Sequence, residues 1–288
     1  MKLNYLLDVH EKSISLSHTV GSVYRQLPFY ITECGHFFAK SGYFTEREGK
    51  NDYLIIFTVS GSGVIRYRGQ EYSVKQGQVF MIDCNEYHFY KTGYTGSWEI
   101  KWMHFSGNGC ESYFNLINEN SLSIISILDY TELDRYMNEI MSLVRNDEIM
   151  TDIKASMIIG NIVSEILINK LNPLNNKKYQ QHTDAIKNVI AYIQNKYNAR
   201  INMRDFLKVA HMSEFHFIRL FKKYTGIGPY EYLINYRINK SKYLLKETNY
   251  LVNEISERVG FNNVNNFIRD FKKLVGTTPL KYRNYWLT

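Results

Sequence analysis

The chain has 288 residues, 44% of them hydrophobic, and a net charge of +7; that is length for two domains and apolar material for real cores, and it excludes a disordered chain. The charge is uneven: residues 183–288 carry 18 Lys+Arg against 8 Asp+Glu, a balance of +10, whereas residues 1–182 carry 17 against 20. A basic C-terminal part predicts a polyanionic partner, unless it is simply a solvated face.

The N-terminus loses its apolar character too early for a signal peptide, and runs such as residues 53–59 fall far short of the ~20 residues that span a membrane. Three cysteines, Cys34, Cys84 and Cys110, are odd in number and match no Cys-x-x-Cys spacing, as expected of thiols in a reducing compartment. These features predict a cytoplasmic protein that makes no membrane contact.

From about residue 36 to 107 the sequence is rich in aromatic and β-branched residues, broken by turn signals at regular intervals. Residues 53–59 precede Ser60-Gly61-Ser62-Gly63, 64–67 precede Arg68-Gly69-Gln70, 71–74 precede Lys75-Gln76-Gly77, and 79–82 precede Asp83-Cys84-Asn85. Short strands at this spacing predict an antiparallel barrel or sandwich, with a mouth that can hold a small molecule or with a purely structural role. A metal enzyme is the competing idea. Yet His88 is followed by Phe89 and Tyr90, so no His-x-His pair exists, and His36, His88 and His104 read as isolated histidines. No Gly-x-Ser-x-Gly, phosphate loop or dinucleotide fingerprint occurs, so no enzyme, no cofactor and no metal are expected.

The run Leu54-Ile55-Ile56-Phe57-x-x-x-Gly61-x-Gly63, Gly69-x-x-Tyr72, Gly77-x-Val79-Phe80-x-Ile82, His88 and Trp98-x-x-x-Trp102-x-His104-Phe105-x-Gly107 resembles the N-terminal cupin-like effector domain of AraC-type regulators. The resemblance implies a β-barrel binding a sugar or another small effector, and by position it marks Arg47, His88, Tyr90, Trp98 and Trp102 as pocket candidates. Rings covering the apolar face of a sugar, with a few polar groups for its hydroxyls, suit that ligand. Each of these residues could equally be a core aromatic or a satisfied histidine.

After Gly107 the period lengthens. Leu133, Met137, Ile140 and Val144 form one helical stripe, and Met157-Ile158, Ile162 and Glu165-Ile166 continue as a second helix. One helix is expected on the barrel and the other at a dimer contact, or both within the same core. Residues 172–182 are polar and aperiodic and contain Pro173, which reads as a linker.

Helical periodicity returns at Asp184, behind Thr183 as a cap, with Ile186, Val189, Ile190 and Ile193. Then a repeat appears. Phe217-Ile218-Arg219-x-Phe221-Lys222-Lys223-x-x-Gly226-x-x-Pro229-x-x-Tyr232 recurs as Phe267-Ile268-Arg269-x-Phe271-Lys272-Lys273-x-x-Gly276-x-x-Pro279-x-x-Tyr282, with nine of sixteen positions identical. Helices over 203–210 and 214–224, and over 252–259 and 264–275, each pair joined by a tight turn, make two helix-turn-helix units. On a helical wheel Phe217, Leu220, Phe221 and Tyr224 point inward in the first, and Phe267, Phe271 and Leu274 in the second. That leaves Phe215 and Arg219, and Asn265 and Arg269, to face bases: Arg pairs with guanine, Asn with adenine, and an aromatic ring meets a thymine methyl. Lys222, Lys223, Lys272 and Lys273 suit phosphates.

Residues 183–285 are similar to the DNA-binding domain of the AraC/XylS family of transcription regulators. The similarity includes the connecting Tyr232-Leu233-x-x-x-Arg237-Ile238-x-x-Ser241-x-x-Leu244-Leu245 and the second unit from Glu254-Ile255-x-x-x-Val259-Gly260-Phe261 to Tyr282-Arg283. Phe215 and Arg219, and Asn265, Asn266 and Arg269, fall where the family's base-facing residues lie, while Leu207, Ser241 and Ser256 depart from its usual Ala. The expected protein is therefore α+β and multidomain. A cupin-like effector-binding and dimerisation barrel with trailing helices occupies residues 1–171, a linker 172–182, and an all-α pair of helix-turn-helix units joined by a long helix 183–288. The family implies double-stranded promoter DNA, a small-molecule effector such as a carbohydrate, a homodimer and RNA polymerase as partners, and activation more often than repression. Two alternatives remain: a barrel that only dimerises or binds a protein, and a metal-dependent cupin enzyme fused to a DNA-binding module.

Overall fold

In the computed structural model, which describes residues 2–171 and 177–287 and omits the side chains of 177–180, 286 and 287, the aromatic N-terminal stretch becomes a ten-stranded antiparallel sheet curled into a cupin-like half-barrel. Its strands are β1 (Lys2–Leu6), β2 (Ile14–Ser17), β3 (Tyr30–Lys40), β4 (Phe44–Glu48), β5 (Tyr53–Tyr67), β6 (Gln70–Lys75), β7 (Gln78–Asp83), β8 (His88–Thr92), β9 (Ser97–Ser106) and, after α1 (Cys110–Asn118), the short β10 (Ile125–Ser126). The path runs β1-β4-β8-β5-β9-β3-β2, with β6, β7 and β10 attached to its side.

The turn expected at Ser60-Gly61-Ser62-Gly63 is instead a bend inside one strand of 15 residues, β5. Residues 53–57 of β5 pair with β7 and β9, and residues 62–67 pair with β6. Between these halves the register on β9 slips at Thr58/Ser60, and Gly61 takes φ +73°, where a Cβ would lie 2.2 Å from the Ser97 carbonyl oxygen. A glycine bulge thus turns the strand where a loop was expected. Two tryptophans use glycines in the same way. A Cβ on Gly35 would come within 2.7 Å of the Trp102 ring, and one on Gly63 within 2.5 Å of the Trp98 ring.

Helix α2 (Thr131–Asn146) buries the expected stripe of Leu133, Met137, Ile140 and Val144. Helix α3 (Thr151–Leu171) starts before the stripe read from sequence and buries Ala155, Ile158, Ile159, Ile162, Val163 and Ile166, so both helices share the barrel's core. Met157 (68% exposed), Ile168 (53%) and Ile153 (40%) form the opposite face of α3. Cys34, Cys84 and Cys110 are free and buried; burial pushes the Cys34 and Cys110 thiols up to about 12.

Residues 177–287 belong to a second unit. Of the expected linker, 172–176 lie outside the described residues, while 177–182 belong to α4 (Lys177–Lys196). Lys and Gln favour helix without creating an apolar stripe, so periodicity placed the start too late. The first helix-turn-helix is α5 (Met203–Ala210) and α6 (Glu214–Thr225), α7 (Pro229–Glu247) connects, and the second is α8 (Val252–Arg258) and α9 (Val264–Val275), followed by α10 (Pro279–Leu287). Gly226 and Gly276 end α6 and α9 at φ +79° and +82°, and the following Pro opens the next helix, which is why the repeat spaces Gly and Pro alike. Each unit has its own core: Ile186, Val189, Phe206, Phe217 and Phe221 in one, and Ile238, Leu245, Ile255, Phe267 and Phe271 in the other.

Arg237 on α7 joins them. It is buried, donates from Nε to Tyr197 O at 2.7 Å and from Nη2 to Ala199 O at 2.8 Å, and so caps the end of α4. A Cβ on Gly260, in the turn before α9, would lie 3.0 Å from its Nη2. Of the three departures from Ala, Ser241 and Ser256 are buried, whereas Leu207 is half-buried at the edge of the first core. Among the described residues no helix is long and apolar enough to cross a membrane.

Candidate functional site

Strand alternation on β9 sends Trp98, Ile100, Trp102 and His104 to one face, and β4 and β8 contribute Thr45, Arg47 and Tyr90. All of these but Trp98 enclose a cavity of ≈ 250 Å³, also lined by Glu33, Phe37 and Tyr43 and by Leu3, Tyr5 and Leu7 at and just beyond β1. Three of the five pocket candidates, Arg47, Tyr90 and Trp102, meet there. Trp98 does not. It is fully buried, with its indole Nε1 donating to Thr58 Oγ1 at 3.1 Å, and acts as core. His88 is also fully buried off the cavity; its Nδ1 lies 2.9 Å from Glu86 O and must donate to it, because a carbonyl only accepts. Tyr43 and Glu33 were missed because they carry no motif, and β1 because its pairing with β4 is a long-range event.

Behind the cavity runs a polar relay. Arg47 Nη1 lies 3.1 Å from His104 Nε2; a guanidinium only donates, so Nε2 accepts and the proton sits on Nδ1, which donates to Asp52 Oδ1 at 3.1 Å. Lys50 Nζ stands 2.9 Å from both Asp52 Oδ2 and Glu33 Oε1. Burial holds the His104 imidazole below its ordinary range despite Asp52. Burial alone would raise the Asp52 carboxyl, but the His104 hydrogen bond and Lys50 outweigh it, so the carboxyl titrates low. Burial pushes Tyr90 up to about 12, which keeps its phenol a donor.

Asp52, Cys84 and His104 are the one group of three potential metal ligands close enough to share an ion among the described residues. His104 Nδ1 would have to lose its proton to bind there, while Arg47 on Nε2 enforces that proton. The chemistry of this set is therefore a hydrogen-bonded relay. His36 pairs separately with Glu99 at 2.9 Å, so the three histidines do not converge.

In the helical unit, Phe215, Arg219, Lys222 and Lys223 on α6, and Asn265, Asn266, Arg269, Lys272 and Lys273 on α9, are all exposed, Phe215 by 79%. Inward lie Phe217, Leu220 and Phe221, and Phe267 and Phe271. Leu274, expected inward, is 44% exposed: it lies in the last turn of α9, where the core of the second unit takes in Phe271 and Val275 but not Leu274. Asn263 caps α9 by accepting from the backbone N–H groups of Asn265 and Asn266, leaving their side chains outward. Arg269 Nε donates to Asp270 Oδ1 at 2.9 Å, and Arg219 lies 3.4 Å from His216 Nδ1, so both arginines are steadied by neighbours. Ile218, 37% exposed on the face of Phe215 and Lys222, was not singled out from sequence. Exposed cations on two helices joined by short turns to supporting helices can grip phosphates and present side chains to a major groove.

Residues 30–159 match the AraC-like ligand binding domain, and residues 206–285 match a helix-turn-helix domain. The chain is 22% identical over 242 residues to the Msm operon regulatory protein of Streptococcus mutans, covering 81% of this chain and 84% of the relative. It is 24% identical over 235 residues to the lactose operon transcription activator of Staphylococcus xylosus, with the same coverages of 81% and 84%. To the arabinose operon regulatory protein of Escherichia coli it is 20% identical over 241 residues, covering 82% of this chain and 81% of the relative. With an effector-binding half-barrel followed by two helix-turn-helix units, the chain belongs to the AraC/XylS family of DNA-binding transcription regulators that respond to an effector.

Proposed function

We propose that this regulator is a cytoplasmic homodimer that activates transcription at a promoter by contacting RNA polymerase, once a small polar effector occupies the cavity of Arg47, Tyr90 and Trp102. The observation that carries the effector reading is the cavity's pairing of aromatic walls with buried polar donors. Relatives named for lactose and arabinose operons favour a carbohydrate or a derivative of one. The exposed apolar face of α3, Ile153, Met157 and Ile168, supports the dimer. An effector shifts DNA occupancy only by its preference for the DNA-competent arrangement, and a preference of about 2 kcal/mol changes occupancy about thirtyfold.

Bases are read by Phe215 and Arg219 from α6 and by Asn265, Asn266 and Arg269 from α9, with Lys222, Lys223, Lys272 and Lys273 on phosphates. Because Phe215 in one unit stands where Asn265 stands in the other, the two units read different half-sites. DNA-binding assays over a salt series test this. Arg269→Ala should relax discrimination at one or two base positions, while Lys273→Ala should weaken all sequences alike and lower the salt slope by about one. Equal, sequence-independent losses for both variants would refute the assignment of readers.

A further inference from the structure

Five buried polar side-chain atoms among the described residues have no hydrogen-bond partner: Arg47 Nε, His88 Nε2, Trp102 Nε1, Asn235 Oδ1 and Ser256 Oγ. Two of them, Arg47 Nε and Trp102 Nε1, belong to side chains that line the proposed effector cavity, and both can only donate. Trp102 is 8% exposed. Leaving such donors unmade is costly, so the cavity calls for a ligand that brings acceptors.

The charges around the cavity say which acceptors. Its two neighbouring carboxylates are already engaged: Lys50 lies 2.9 Å from both Glu33 and Asp52, and Asp52 also takes the His104 proton at 3.1 Å. Arg47 makes no ion pair with any described carboxylate, and its Nη1 is committed to His104. What remains is the edge of the guanidinium bearing Nε and Nη2, the fork that holds two oxygens of one carboxylate or phosphate side by side. A neutral hydroxyl would take one of these bonds and leave the cation without a counter-charge beside Phe37, Ile56 and Trp102.

We infer that the effector carries an oxyanion, a carboxylate or a phosphate ester on a small polar carbon frame, seated on the Nε/Nη2 edge of Arg47 with the Trp102 indole N–H as a further donor. The inference rests on the cavity being the effector site. The remaining wall suits the frame: Tyr43 and Tyr90 offer phenol groups, and Phe37 and Trp102 offer rings in edge-to-face contact, their centroids 5.1 Å apart. A cavity of ≈ 250 Å³ holds the volume of roughly eight waters, which matches a single sugar acid or sugar phosphate.

The test uses full-length protein in thermal-shift and titration-calorimetry measurements. The ligands are a panel of aldoses, each offered as the neutral sugar, the uronic acid and the terminal phosphate, with acetate and inorganic phosphate alongside. At least one acidic member should bind at least a hundredfold more tightly than its neutral parent, and whether the uronate or the phosphate does so identifies the anion. Arg47→Gln should abolish that preference, and Arg47→Lys, which keeps the charge without the fork, should restore less than a tenth of the affinity. Should Arg47→Gln fail to fold, the matched ligands on the wild-type protein and Arg47→Lys still decide the matter. A neutral sugar binding as tightly as its acid would overturn the oxyanion and leave the effector reading standing. No binding by any panel member would overturn both.

Discussion

Replacing Arg237 with Ala removes two hydrogen bonds from a charged donor, 2.7 Å to Tyr197 O and 2.8 Å to Ala199 O, at a residue only 8% exposed. Hydrogen bonds to charged groups contribute about 1.5–3 kcal/mol each; with Tyr197 half-buried and Ala199 exposed the low end applies to both, so the helical unit should lose about 3 kcal/mol. Against a stability of about 5–15 kcal/mol, that is a fifth or more of the total. Arg237→Met, which retains the stem's packing, should lose nearly as much, and Arg237→Lys, a point donor in place of a fork, about half. Urea unfolding followed by circular dichroism reports mainly the helices, while tryptophan fluorescence in a Trp286→Phe background leaves Trp98 and Trp102 to report the β-rich unit. The first transition should move and the second should not. Because Arg237 pins the end of α4 beside Gly260 of the second helix-turn-helix, DNA affinity should fall as well. A loss below about 1 kcal/mol in both the Ala and Met variants would refute this account of how the two units are tied together.

Burial lowers the His88 imidazole from 6.5 to about 4, so it folds neutral. Its stabilising contribution is complete above pH 6.5 and is lost as pH falls towards 4, about 3 kcal/mol in all; the stability difference between wild type and His88→Gln should vary with pH across that window, and a constant difference would contradict it. Gly63→Ala drives a Cβ within 2.5 Å of the Trp98 ring and should cost about 1–3 kcal/mol in denaturant unfolding followed by tryptophan fluorescence, as overpacking does. Met157→Lys places a charge on the exposed face of α3 and should convert the proposed dimer to monomer in sedimentation velocity; an unchanged sedimentation coefficient would remove that face from the dimer contact.

The sequence by itself determined the helical unit almost completely. A repeat that fixes Phe217 and Phe267 inward, Arg219 and Arg269 outward, and Gly226 and Gly276 at the helix ends is local information, because helical period and glycine's left-handed backbone act within a few residues. It failed at α4, where polar helix formers leave no stripe, and at Leu274, in the last turn of α9, which the core of the second unit does not take in. In the half-barrel, the family resemblance marked Trp98 and Trp102 by position but not how deep each residue sits. Trp98 and Trp102 share a face four residues apart, yet one is core under Gly63 and the other walls a cavity over Gly35. Only tertiary structure decided that difference, together with the charge pattern around Arg47, because Glu33, Lys50, Asp52 and His104 are brought together from separate stretches by strand pairing. Depth and charge neutralisation belong to contacts between strands, and a linear pattern does not hold them.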